Sequence, residues 1–249
     1  MASDKIVVAF DLYGTLLSTE SIAEELAKLF GQEKAASIAG TWRKYQLEYT
    51  WRLNSMGPEH YQPFSQVTRS SLKHALLEHD VDVTVQKEDR LMRAYDSLHH
   101  FAEVPAALRL LADKSDLVDA YIFSNGTDEM VGNSVKSSPD LGPHAHLFKS
   151  LITVDSLRVY KPAKKVYEHL LSEAGKQGRP SDVWLVSANP FDVVGGKLAG
   201  LRTAWVDRTG RGWLDRLDQT NAPTLITRGV EDAVQGILDW SPDSEKGVS

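Results

Sequence analysis

Short apolar runs punctuate the chain, and each stops abruptly at polar residues. IVVAF at 6–10 is followed directly by Asp11, and runs at 120–123, 151–154, 183–186 and 203–206 end in the same way. All are rich in Val, Ile and aromatics, so they predict strands buried on both faces, as in a parallel sheet. A weaker sixth run covers 224–227. Helical stretches separate the later runs. PAALRLLADK at 105–114 opens on Pro and continues with good helix formers. KKVYEHLLSEA at 164–174 carries apolar Val166, Leu170 and Leu171 and meets Gly175 as a stop. Strand alternating with helix predicts an α/β fold, a Rossmann-like, doubly wound parallel sheet.

Residues 18–98 break this rhythm. They contain no convincing strand run and read as helices at 20–30, 35–55, 65–78 and 87–97, interrupted by Gly57-Pro58 and by 80–84. About eighty helical residues after the first strand predict an inserted helical cap domain, placed over the sheet edge where ligands bind. The expected organisation is a catalytic core from 1–17 and 99–240, a cap from 18–98, and a polar, disordered tail at 241–249.

Composition narrows the function. The chain has 249 residues, 42% of them hydrophobic, which is enough for a sizeable core. A net charge of -6 argues against nucleic acid, which needs a basic face, but leaves room for a locally positive site that takes a small anion. The absence of cysteine excludes disulfides, zinc thiolates and thiol catalysis. The N-terminal apolar run is too short for a signal peptide and no run is long enough to span a bilayer, so a cytoplasmic protein without a membrane partner is expected.

The polar residues at the strand tips carry the chemistry. Strand one ends in Asp11, strand two in Ser124-Asn125-Gly126, and strand four in Ser187-Ala188-Asn189 with Asp192 close behind; Lys161-Pro162 follows strand three. Singly, each is ordinary cap or turn chemistry. Together they bring Asp, Ser, Asn and Lys to the carboxyl edge of one sheet, the ligand crevice of open α/β folds.

These residues, in FDLYGTL, TWRKYQLEYTW, IFSNGT, RVYKP and VSANPFDVVGGKLAG, resemble the haloacid dehalogenase superfamily, and within it the L-2-haloacid dehalogenases (type II). The resemblance spans roughly 5–240. It implies Asp11 as nucleophile, with Thr15, Ser124 and Lys161 orienting it or binding the substrate carboxylate. It implies Arg43, Asn125 and Phe191 as the halide cradle, and Tyr167, Ser187, Asn189 and Asp192 around the hydrolytic water. Leu12 and Tyr13 beside the nucleophile, and Leu47, Trp51 and Phe64 in the cap, complete the expected substrate pocket. The family commonly has Ser-Ser-Asn before a small residue and an aromatic; here the run is Ser187-Ala188-Asn189-Pro190-Phe191, and Pro190 removes a backbone donor. Relatives are often homodimers, so a homodimer is expected too. Arg43 and Tyr167 stand on the resemblance alone, since an arginine on a helix is usually solvated.

Position 13 decides between chemistries. Phosphatases of the superfamily carry a second aspartate there to protonate an alkoxide leaving group, help typically worth about 100- to 10,000-fold. A halide leaves without a proton, and here the residue is Tyr13. Such phosphatases also enlist magnesium held by neighbouring acids. Here Ser187 stands where the first acid would be. The expected reaction is therefore metal-independent and cofactor-free. It converts short L-2-haloalkanoic acids to 2-hydroxy acids with inversion, through an aspartyl ester. The alternatives are a magnesium-dependent phosphatase of the same superfamily and a non-enzymatic relative.

Overall fold

The computed structural model describes residues 5–241; the expected tail beyond Ser241 lies outside the described residues. Six strands form one parallel sheet: β1 (Ile6–Phe10), β2 (Val118–Ser124), β3 (Phe148–Thr153), β4 (Val183–Ser187), β5 (Arg202–Val206) and β6 (Leu225–Thr227). Their order is β3-β2-β1-β4-β5-β6. Central β4 is buried throughout and β1 from Val7 onward, as continuous apolar runs require, whereas the edge strand β6 is half exposed. β1 pairs with β2 on one side and with β4 on the other, in register from Val7↔Val183 to Phe10↔Val186. The chain winds outward in opposite directions from β1 and from β4. Their tips therefore flank the switch point, where open α/β sheets bind ligands.

Nine α-helices accompany the sheet among the described residues: α1 (Ala23–Phe30), α2 (Gln32–Met56), α3 (Phe64–Glu78), α4 (Val85–Tyr95), α5 (Val104–Asp113), α6 (Asp128–Gly132), α7 (Lys164–Glu173), α8 (Pro190–Leu198) and α9 (Val230–Leu238). α5 packs with α9 and α7 with α8, while α1 to α4 pack on one another. No helix among the described residues is long and apolar enough to cross a membrane.

The four helices expected between 18 and 98 are present with shifted ends. The first splits into a 3-10 turn (Thr19–Ile22) and α1. α2 begins at Gln32 rather than 35, because Gly31 at φ 90° ends α1 and the new helix starts at once. It stops at Gly57, φ 101°. The two connections to the sheet run side by side: Leu17 bridges His100, and the Ser18 and Phe101 amides donate to His99 and Leu16 carbonyls. The strand expected at 151–154 runs instead over β3, leaving Val154 outside. α6, α8 and α9 had no expectation from the sequence. In α8 two glycines and an opening proline mask the helical pattern.

Candidate active site

Asp11 leaves β1 at the switch point and is almost fully buried. The turn behind it is tight: the Thr15, Leu16 and Leu17 amides all donate to the Leu12 carbonyl. Gly14 allows this turn with φ 88°, and a Cβ there would stand 3.4 Å from the Arg43 guanidinium. Thr15 is thereby folded back so that its Oγ1 donates to Asp11 Oδ2 at 2.7 Å and accepts from the Ala188 amide at 2.9 Å.

Two further donors complete the cradle. Asn189 Nδ2 donates to Asp11 Oδ2 at 2.7 Å, and Lys161 Nζ donates to Oδ1 at 3.0 Å. Asn189 is the N-cap of α8, but its side chain caps nothing. Pro190 opens the helix where no amide hydrogen is needed, and the Asn189 side-chain amide reaches across to Asp11 and to the Tyr13 carbonyl (3.2 Å). The proline that departs from the family pattern thus sits at the first helical position.

Lys161 is fully buried, and its ammonium spends all three protons: on Asp11, on the Phe123 carbonyl (2.8 Å) and on Asp192 Oδ2 (2.9 Å). Burial works to lower its pKa, but the charges of Asp11 and Asp192 outweigh it and leave it raised. Asp192 shows the converse. Burial lifts its carboxyl above the ordinary aspartate value; Lys161 opposes this and the Asp11 charge adds to it. Tyr167 donates to Asp192 Oδ1 at 2.9 Å. This approach needs Gly195 on α8, since a Cβ there would meet the Tyr167 hydroxyl at 2.3 Å.

The remaining expected residues divide into those that shape the loops and those that wall the site. Ser187 Oγ accepts the Asn189 amide, Ser124 Oγ accepts the Gly126 amide, and Asn125 Oδ1 accepts the Lys161 amide. Leu12 is wholly buried, in the same apolar cluster as Phe64. Tyr13 is buried too, stacked on Phe64 and tilted against Tyr95, and its hydroxyl is hydrogen-bonded with Ser134 at 3.1 Å. Burial raises this phenol well above its usual range, which makes it a poorer acid. Phe191 meets Trp51 edge to face at 5.7 Å, and Trp51 keeps 41% of its surface exposed.

Arg43 comes from α2, across from the sheet. Its Nη2 donates to the Tyr13 carbonyl (3.1 Å) and to Asn189 Oδ1 (3.2 Å), and its Nη1 to Gln46 Oε1 (2.7 Å). These three hydrogen-bond partners are all neutral. Its positive charge therefore sits beside the Asp11 loop without a carboxylate bonded to it. Leu47 and Trp51 follow at four-residue steps along the same face.

Two supports escaped the sequence. Gln46 is completely buried, accepts from both Arg43 and Tyr95 and donates to Thr68 Oγ1. Its three-residue spacing from Arg43 was the available signal. Arg208, just past β5, donates to the Thr15 carbonyl at 2.7 Å while paired with Glu103. Nothing in its local sequence marks it.

The donor set does not fit a magnesium ion. The Lys161 ammonium already bonds Asp11 Oδ1 and Asp192 Oδ2 together (3.0 and 2.9 Å) and supplies the positive charge there, and Ser187 offers no negative charge for a second cation. No group of three or more His, Asp or Glu able to hold a metal occurs among the described residues.

Comparison with known proteins follows the same line. Residues 7–200 match the family model of haloacid dehalogenase-like hydrolases. The chain is 36% identical over 213 residues to haloacetate dehalogenase H-2 of Moraxella sp. (strain B), covering 86% of this chain and 90% of that protein. It is 34% identical over 206 residues to the (S)-2-haloacid dehalogenase of Pseudomonas sp. (strain YL), covering 82% and 83%. Among solved structures, the L-2-haloacid dehalogenase of Xanthobacter autotrophicus with chloropropionic acid covalently bound superposes with a TM-score of 0.82 at 26% identity, covering 95% of this chain and all of that one.

Proposed function

The chain belongs to the haloacid dehalogenase-like hydrolases, and from that premise we propose that it hydrolyses short (S)-2-haloalkanoic acids through an ester on Asp11. The observation that carries the reading is the placement of Arg43. A guanidinium with only neutral hydrogen-bond partners stands beside a carboxylate already aimed by three donors. Such a cation favours an anion formed there, and a departing halide is one.

In the first step Asp11 attacks the halogen-bearing carbon from the side opposite the halogen. The carbon–oxygen bond forms as the carbon–halogen bond breaks, the centre inverts, and halide leaves with the bonding pair. Ser124 and the amides of the Asp11 loop hold the substrate carboxylate. Arg43, Asn125 and Phe191 receive the halide, with Leu47, Trp51 and Phe64 as apolar walls. In the second step Asp192 takes a proton from water, and the hydroxide attacks the ester carbonyl. Whichever Asp11 oxygen forms the ester, the other faces a donor: Lys161 on one side, Thr15 and Asn189 on the other. The oxyanion is thus stabilised; as it collapses, the bond from the Asp11 carbonyl carbon to the substrate oxygen breaks, the leaving oxygen takes the proton held by Asp192, and the 2-hydroxy acid departs. No step requires a metal or an external acid. The Lys161 ammonium shared by Asp11 and Asp192 and the buried, Ser134-bonded Tyr13 favour this reading over a magnesium phosphatase.

In the same reading, segment 18–98 is a cap over the core of 1–17 and 99–240, and the protein is a cytoplasmic homodimer, checked by light scattering and fractionation. The function itself is tested by halide release from both enantiomers of 2-chloropropionate in excess chelator. Release from the S form to give (R)-lactate supports it; no release from any short 2-haloacid overturns it.

A further inference from the structure

The cap segment touches the Lys161 loop through a reciprocal bond with no part in the chemistry above. Asn54, two residues before the end of α2, donates from Nδ2 to the Tyr160 carbonyl at 2.8 Å and accepts the Tyr160 amide at Oδ1 at 2.9 Å. Both backbone groups of the residue before Lys161 are thus held by one side chain. Tyr160 is fully buried, its hydroxyl donates to the Gln62 carbonyl, and its ring lies against Tyr61 and Phe64. Phe64 in turn stacks on Tyr13.

Asn54 is also in phase with Arg43. Eleven residues separate them, three turns of helix and about 16 Å, so both project from one face. Leu47 and Trp51 lie between them on that face. α2 is therefore fixed at two points to different core loops: at its middle by Arg43 to the Asp11 and Asn189 loops, and near its C-terminal end by Asn54 to the Lys161 loop.

We infer that Asn54 is a positioning residue: with Arg43 it sets the height at which Leu47 and Trp51 stand over Asp11, and so the chain length of the 2-haloacid admitted. This rests on the proposed dehalogenase reading. If the Asn54 end is released, only the Ala163 amide still binds the Tyr160 carbonyl. That end of α2 then lifts, the wall recedes, and the Lys161 loop loosens.

The test compares wild type with Asn54→Ala and the isosteric Asn54→Asp. Aspartate keeps the volume and the acceptor but loses the donor and turns a carboxylate toward the Tyr160 carbonyl. Substrates are (S)-2-bromopropionate and (S)-2-bromohexanoate, and amide exchange is followed at Tyr160 and Lys161. Asn54→Ala, which loses both hydrogen bonds, is expected to lose about tenfold in kcat/KM on the short acid, and Asn54→Asp, which loses one and sets a carboxylate against the Tyr160 carbonyl, a similar factor. The loss on the long acid is smaller, so discrimination narrows, and the Tyr160 amide exchanges faster. Equal losses on both acids, or an aspartate variant with wild-type kinetics, would overturn the inference. Should the alanine variant not fold, the aspartate variant decides alone. If wild type releases halide from neither acid, the functional reading fails. Slow Tyr160 exchange in a folded variant would then overturn the clamp separately.

Discussion

At the residue scale, the site is a balance of two carboxylates, Asp11 and Asp192, against one buried ammonium. Lys161 cannot be removed quietly. Lys161→Met leaves two buried carboxylates facing each other, so about 3–5 kcal/mol of stability is expected to be lost alongside activity, read by thermal unfolding. The pH dependence follows from Asp192. In the proposed mechanism Asp192 is the base and must be ionised; burial raises its pKa above the ordinary 3.8, so kcat is expected to fall on the acid side at a higher pH than a solvated aspartate would give. The Tyr167 hydrogen bond lowers that pKa. Tyr167→Phe therefore moves the acid limb of the kcat profile to higher pH, and a limb left in place would contradict the role of Asp192 as base. Asp11 and Lys161 were legible because each closes an apolar run or opens a turn. The hydrogen bonds that define them, spanning up to 178 positions, have no local trace.

At the element scale, α2 and α8 carry the site. α8 must pack its Gly195 directly on Tyr167. Gly195→Ala forces a Cβ into the hydroxyl and is expected to cost about 1–3 kcal/mol, with a fall in kcat that Gly132→Ala, which meets nothing nearby, does not show. On α2, Gln46→Leu strands the Arg43 and Tyr95 donors in a buried place. About 1–3 kcal/mol is lost, and halide release slows more than substrate binding weakens, seen as a change in kcat beyond that in KM. Here the sequence said less. The strand runs were plain because buried parallel strands are continuously apolar. α8 was hidden because proline, two glycines and an aspartate at its start look like a loop, and the same residues make it functional. Gln46 read as one polar letter among aromatics; its burial depends on α3 and α4, which the spacing within TWRKYQLEYTW does not describe.

At the scale of the whole molecule, the switch point between β1 and β4 explains why residues from four segments meet. The parallel order delivers Asp11 and Asn189 from adjacent strand tips, and Lys161 from the segment after β3. Helix α2 adds the cation, Arg43. Alternating strands and helices made this architecture legible before any contact was known. The attachment of α2 to the core was not legible, because reciprocal bonds such as Asn54 with Tyr160 arise only once both parts are folded. The assembled site also predicts negligible turnover of an aryl phosphate, with or without magnesium. Chelator-sensitive phosphatase activity comparable to halide release would contradict the account.

The central claim is that Asp11 carries the substrate as an ester, and a single turnover in oxygen-18 water with enzyme in excess tests it most directly. Water attacking the ester carbonyl puts the label into the Asp11 carboxylate, while the 2-hydroxy acid keeps an unlabelled oxygen from the enzyme; mass spectrometry of the peptide holding Asp11 should show the added label. Label found in the product hydroxyl and absent from Asp11 would mean that water attacks the substrate carbon itself, and the account would be wrong.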